Sequence, residues 1–393
     1  MTGFTFAYST KILFGRGREK EVGKETSAHS RRILLHYGQG SIKKSGLYDR
    51  VCQSLRKAGV QFCELGGVVP NPRLSLVRRG IKLCRDENLD FVLAVGGGSV
   101  IDSAKAISIG VPYSGDVWDF FSGKSQIKSA LPVGVVLTIP AAGSESSDGM
   151  VITNEEGQYK WDVGDPIVRP RFAILDPLLT LNLPARDTAN GVADMLAHIL
   201  ERYFTRESGV DLTDRLCEAA MQGIIRTASL LPGDPANYDY RAQIMWGGTI
   251  AHNDFLGLGR VGDWGSHLME HELSAIYDVA HGAGLAVIFP AWMRYLYRKK
   301  VQRFAQFAVR VFGLPMDFEH PEATALAGIR SLESFFRHLG LPVTLPELGV
   351  PTDRLEEMAR KCTERGPIGN FARLDEKEVL AIYRLAAETD GRG

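Results

Sequence analysis

Short apolar runs alternate with amphipathic stretches over the first 180 or so residues. The segments 32–37 (RILLHY), 60–65, 90–95 (DFVLAV) and 133–139 are largely apolar and of strand length. Between them, 42–57 and 74–87 repeat their apolar residues every three or four positions, the spacing that gives a helix one buried face. Strands alternating with helices in this way predict a parallel sheet covered by helices on both faces. The pattern changes near Pro184. Beyond it, 187–203, 211–229, 240–255, 264–278 and 299–312 all carry helical periodicity, and strand-like runs become scarce. The segment LTLNLPARDTAN marks the junction, with Asp187 placed to cap the helix that follows a proline turn. An α/β domain over 1–183 and an all-helical domain over 184–393 are therefore expected.

Composition narrows the class. Apolar residues make up 45% of the 393 and charged residues 23%, which suits a globular chain with a sizeable core. Lys plus Arg equals Asp plus Glu at 46 each, so a nucleic-acid or anionic-membrane partner is not expected. No apolar run approaches membrane-spanning length, and the first residues lack the pattern of a secretion signal. The five cysteines at 52, 63, 84, 217 and 362 form no CxxC pair, which suits reduced thiols and a cytoplasmic setting.

The strand at 90–95 runs into Gly96-Gly97-Gly98-Ser99 and then into a helix with Asp102 in its expected first turn. Glycines there let backbone amides approach a phosphate, and the helix start favours its charge. A plain tight turn would need fewer of them. The strand at 32–37 ends in Gly38-Gln39-Gly40-Ser41, with Lys43 and Lys44 beyond. An NAD site usually places an acid near this point for the ribose hydroxyls. Small residues and two lysines suit a 2′-phosphate instead, so NADP(H) is expected over NAD(H).

Asp194 and His198 lie four apart on one predicted helix, as do His267 and His271 on another, and His281 follows beside glycines. Such spacing stacks side chains on one helix face. A single Asp/His pair is ordinarily a surface hydrogen bond, but three of nine histidines within 267–281 argue for a metal shell. Imidazole suits Fe²⁺ and Zn²⁺ alike, and spacing does not say which three histidines bind. The histidines at 29, 36, 252, 320 and 338 show no such grouping.

Taken in order along the chain, these features resemble the iron-containing (group III) alcohol dehydrogenases. The likeness spans TKILFGRG at 10–17, Pro-Asn-Pro at 70–72, the 96–105 turn, TIPAAGSE at 138–145, GVADMLAH at 191–198 and the His-rich segment to Gly282. Within that family the chain looks most like butanol dehydrogenases and NADPH-dependent aldehyde reductases, through YGQGSIKKSG at 37–46 and GDWGSHLMEHELSA at 262–275. The resemblance implies a dehydroquinate synthase-like architecture: a Rossmann-like parallel domain followed by a helical metal domain. It implies that Asp194, His198, His267 and His281 hold one divalent metal, with His271 near the nicotinamide. By the same likeness Asn71, Gly97, Gly98, Ser99, Asp102, Thr138, Ser144, Lys160 and Leu179 line the cofactor, Gly38 and Ser41 flank the adenosine ribose, and the protein is a homodimer.

The expected activity is hydride transfer between NADP(H) and a small alcohol or aldehyde, with the proton relayed by His271 or through a ribose hydroxyl and water. Two other classes are distinguishable. A sugar-phosphate cyclase-like lyase using NAD and a metal would need a pocket rich in Lys and Arg, whereas 240–281 is mostly aromatic, apolar and glycine, with Arg241 and Arg260. A non-catalytic nucleotide sensor would bind without turnover.

Overall fold

The structure is a computed structural model that describes residues 1–388. The chain divides into two compact units, each discontinuous in sequence, which a single boundary at 183/184 does not capture. One comprises Ala7–Leu183 and Ala236–Thr249. The other comprises Met1–Phe6, Pro184–Pro235 and Ile250–Gly393, of which 389–393 lie outside the described residues.

The α/β unit is built on six parallel strands: β1 (Lys11–Phe14), β2 (Arg32–Gly38), β3 (Gln61–Val68), β4 (Phe91–Gly97), β5 (Val133–Ile139) and, after a separate antiparallel hairpin of β6 (Gly149–Asn154) and β7 (Tyr159–Gly164), β8 (Phe172–Leu175). Their order is β1-β8-β5-β4-β2-β3. All seven residues of β4 are buried, which is why it reads as an unbroken apolar run rather than an alternating one. One face packs Leu34, Val92, Ala94, Val135 and Ala173 beneath the helices over Leu74–Asp86 and Gly98–Gly110. The other packs Ile33, Leu35, Leu93, Val136 and Ile174 against α1. These helices are α1 (Leu47–Lys57), α2 (Leu74–Asp86) and α3 (Gly98–Gly110). The helix expected over 42–57 is in fact two, Ser41–Lys44 and α1, because Gly46 at φ 69° breaks it.

Residues 236–249 join this unit through specific contacts. Thr249 donates to the buried Glu145 carboxylate at 2.5 Å. The Trp246 ring meets Phe14 edge-on at 6.2 Å, and the Arg16 guanidinium lies 3.6 Å over the Tyr238 ring.

The helical unit contains α4 (Ala185–Tyr203), α5 (Asp211–Leu230), the end of α6 (Tyr238–Ala251), α7 (Gly265–Tyr277), α8 (His281–Leu296), α9 (Val301–Phe312), α10 (Pro321–His338) and α11 (Glu376–Ala387). Asp187 does not cap α4. Pro184 occupies that position, and Asp187 sits in the first turn, where its charge meets the positive end of the helix dipole. The core is aromatic: Phe204, Phe289, Trp292, Phe304 and Phe307 are buried, with Phe204 and Phe304 stacked at 4.5 Å. Met1 and Thr2 belong here, bonded to the Ser208 carbonyl at 2.6 Å and the Gly259 carbonyl at 2.9 Å. Among the described residues no helix is long and apolar enough to cross a membrane.

Candidate active site

Counted from β2, the sheet runs second, first, third, fourth, fifth, so the strand order reverses between β2 and β4. Ligands of doubly wound sheets sit at the carboxyl ends of the strands flanking such a reversal. Gly38 ends β2 and Gly97 ends β4, so both glycine turns singled out in the sequence flank that point.

The three glycines there do different work. A Cβ on Gly96 would come within 2.4 Å of Val100, and one on Gly97 within 3.0 Å of Ile139, so both serve packing. A Cβ on Gly98 would meet no atom within 4 Å. Gly98 is thus the position where a missing side chain leaves an approach to the amides opening α3, with Ser99 next to it.

Asp102 lies beyond the first turn of α3, correcting the expected position. Its carboxylate accepts from Ser144 Oγ at 2.5 Å and from the Val151 amide at 3.1 Å, and burial pushes its pKa up. Lys105, one turn on, is fully buried and donates to the carbonyls of Ser147 at 2.9 Å and Gly149 at 2.8 Å. Burial lowers its ammonium pKa to about 8, against the pull of Asp102. The pair pins the loop that carries Ser144. Of the other residues implied for the cofactor, Asn71 is buried at φ 55°, Lys160 is buried on β7, and Thr138, Ser41 and Leu179 are partly buried or exposed.

One acid near the β2 turn escaped the sequence reading. Glu64 on β3 accepts from the hydroxyls of Tyr37 at 2.9 Å and Tyr48 at 2.5 Å. Lys43 lies over both rings, 5.1 and 4.8 Å from their centroids. An acid from a neighbouring strand is invisible to a search confined to the turn itself.

In the helical unit, α4 supplies Asp194 and His198, α7 supplies His267 and His271, and His281 is the first residue of α8. Asp194, His267 and His281 each offer a ligand atom within 4.8 Å of the others. His198 adjoins them, its Nδ1 2.9 Å from Asp194 Oδ1 and 3.3 Å from His267 Nε2, while that same Nδ1 also bonds the Asp194 carbonyl. Asp194 Oδ1 is buried and accepts no aligned hydrogen bond among the described residues. A buried carboxylate oxygen facing imidazole nitrogens is costly unless a cation completes it, so the donor set fits a divalent metal. Burial by itself would raise the Asp194 pKa, but the rings of His198, His281 and His267 hold it well below the carboxylate range. Burial and the nearby His198 push His267 well below its ordinary value, which keeps the ring neutral and its lone pair available.

Four neighbours were not legible beforehand. Glu201 on α4 receives His267 Nδ1 at 2.8 Å, the His267 amide, the Trp264 amide at 2.6 Å and Ser266 Oγ. Burial pushes its carboxyl up, yet donors on both oxygens oppose protonation. Glu270 on α7 bonds His281 Nδ1. The Trp264 ring stands 5.8 Å from the His198 ring, and the ring of His252, set aside on spacing grounds, lies 4.3 Å from that of His198. His271 is buried, its ring 5.7 Å from that of His281.

A glycine turn at a sheet's reversal point and an Asp/His cluster on one chain define a class, the dehydrogenases that pair a dinucleotide with a metal. Two family descriptions match the chain, "Iron-containing alcohol dehydrogenase" over residues 9–177 and "Fe-containing alcohol dehydrogenase family, C-terminal" over 188–387. The chain belongs to the iron-containing alcohol dehydrogenase family and is an oxidoreductase. It is 44% identical to the probable NADH-dependent butanol dehydrogenase 1 of Bacillus subtilis (strain 168), covering 98% of this chain and 100% of that one. It is 36% identical to the NADPH-dependent aldehyde reductase YqhD of Escherichia coli (strain K12), covering 93% and 94%. The crystal structure of the NADH-dependent butanol dehydrogenase A of Thermotoga maritima superposes with a TM-score of 0.95 at 40% identity, over 99% of each chain.

Proposed function

We propose that this enzyme interconverts a small primary alcohol and its aldehyde, of butanol and butanal size, using NADP(H) and one divalent metal, Fe²⁺ or Zn²⁺. The observation that carries the proposal is the convergence of Asp194, His267 and His281 within 4.8 Å, with His198 alongside. These four residues would hold the cation, which when bound polarises the substrate oxygen. The amides opening α3, beside Gly98 and Ser99, receive the cofactor pyrophosphate. Lys105 and Ser144 keep Asp102 and its loop in place around the nucleotide.

A bound nicotinamide would supply the hydride for the carbonyl carbon in the reducing direction, and the substrate oxygen would then need one proton. His271, whose buried ring lies 5.7 Å from that of His281, is the side chain proposed to relay that proton. For NADP(H) the support is Lys43 and Lys44 beside Ser41, and a Glu64 carboxylate already engaged by two tyrosine hydroxyls. The relatives carry names of both kinds, NADH-dependent and NADPH-dependent.

The test is metal analysis of anaerobically purified protein, followed by butanal reduction with NADPH and with NADH, before and after chelation and return of Fe²⁺ or Zn²⁺. Turnover restored by metal, with the larger kcat/KM for NADPH, is expected. Turnover indifferent to chelation would remove the metal from the mechanism, and a larger kcat/KM for NADH would overturn the cofactor preference alone.

A further inference from the structure

We infer that Glu270 is a positioning residue for the metal site, that it acts by holding His281, and that Gly284 is present to give its carboxylate room. The inference rests on the metal reading of the site given above.

His281 is the first residue of α8, preceded by Ala280 in an extended conformation. A residue at a helix start lacks a preceding turn to pack its side chain against, and the His281 side chain is about a quarter exposed. Something else must orient the ring. Glu270 comes from the middle of α7, is completely buried, and places Oε2 against His281 Nδ1. Its other oxygen, Oε1, accepts from Ser274 Oγ one turn along the same helix. With Nδ1 donating to Glu270, the ring must be the tautomer whose Nε2 carries the lone pair, and that nitrogen lies 3.9 Å from Asp194 Oδ1. A carboxylate on the far nitrogen of a ligand imidazole fixes its orientation and makes it a stronger donor to metal. Glu201 stands in the same relation to His267, whose Nδ1 it receives at 2.8 Å while Nε2 faces His198. Two ligand rings are thus each held from behind by a buried carboxylate.

Gly284 shows that the arrangement is accommodated by the neighbouring helix. A Cβ at 284 would fall 2.6 Å from Glu270 Oε1 and 2.7 Å from its Cγ. Glycine inside a helix is disfavoured relative to alanine, and here the missing methyl leaves the space that the Glu270 side chain occupies. The glycine one turn beyond the histidine is therefore explained by a glutamate on another helix.

The experiment measures Zn²⁺ affinity of the full-length apo protein against a competing chelator, with the Co²⁺ visible spectrum as a second readout. The proteins are wild type, Asp194→Ala, Glu270→Gln, Glu270→Ala, Gly284→Ala and the Glu270→Ala/Gly284→Ala double variant. Glu270→Gln is expected to weaken Zn²⁺ binding about 10- to 100-fold and to alter the Co²⁺ bands. Gly284→Ala is expected to weaken binding in the wild-type background but to change it less than about 2-fold once Glu270 is alanine, since contacting residues do not act additively. Wild-type affinity in Glu270→Gln, or effects of Glu270→Ala and Gly284→Ala that simply multiply, would overturn the inference. Should Glu270→Gln fail to fold, the comparison of Gly284→Ala in the two backgrounds decides alone. If wild type and Asp194→Ala bind Zn²⁺ equally, the metal reading itself falls, a result distinct from equal binding by wild type and Glu270→Gln.

Discussion

His36 sits fully buried in β2, with Nδ1 2.8 Å from the Leu65 carbonyl and Nε2 2.9 Å from Ser103 Oγ. Burial lowers its pKa to about 4. Its folded value lies below the unfolded one, so its contribution to stability is complete above the unfolded pKa and is lost as pH falls through the folded one. Between pH of about 6.5 and about 4 the fold should lose about 3 kcal/mol from this group. Urea unfolding of wild type and His36→Asn across that window checks it: the variant should show the shallower pH dependence, and parallel curves would contradict it. This histidine serves the core, whereas those at 267 and 281 converge on Asp194. Sequence spacing separated the two kinds, because a repeat of four on a helix leaves a record and an isolated core histidine does not. Spacing failed for Glu201 and Glu270. Each follows a histidine by three positions yet serves a histidine on a different helix, and an acid within a helix ordinarily reads as a solvated charge.

Strands long enough to show continuous burial, such as β4 and β5, were legible, as was the switch to helices after Pro184. The four-residue strands β1 and β8 were not, because four residues carry too little pattern to tell a strand from a loop. The β6–β7 hairpin was missed too: Lys160 and Asp162 alternate with aromatics there, and Gly157 and Gln158 turn the chain at φ 80° and 55°. Gly282 makes an element-scale prediction. A Cβ there would lie 1.9 Å from the Asn190 carbonyl oxygen on α4, and backbone cannot rotate aside as a side-chain end can. Gly282→Ala should force α8 away from α4 and cost about 1–3 kcal/mol. Equilibrium unfolding of the apo protein would register the loss, and an unchanged midpoint would show that the helices part freely.

Across the whole molecule, the residues proposed to bind the dinucleotide fall in one unit and those proposed to hold the metal in the other. The two binding functions should therefore be separable by single substitutions. Gly98→Ala is expected to fold, since its Cβ meets no atom within 4 Å, yet to weaken NADPH binding about 10-fold or more by obstructing the amides. It should keep its metal. Asp194→Asn should lose metal and retain NADPH affinity. Fluorescence titration with NADPH and metal analysis of both variants give the four values, and a Gly98→Ala protein binding NADPH normally would move the pyrophosphate elsewhere. Single-boundary reading of the sequence assigned 236–249 to the helices because their periodicity is helical; which core a helix joins is decided by long-range contacts such as Thr249 with Glu145.

That discontinuity sets a timetable for synthesis. β1 emerges from the ribosome early but must wait for β8, some 160 residues later, and Glu145 waits for Thr249. Met1 and Thr2 find their partners at Ser208 and Gly259, which are made more than about 200 residues after them. Neither unit can be completed from a contiguous stretch of newborn chain, so a polypeptide halted at Leu183 would leave the Glu145 carboxylate without its threonine and Met1 and Thr2 without the carbonyls they bind.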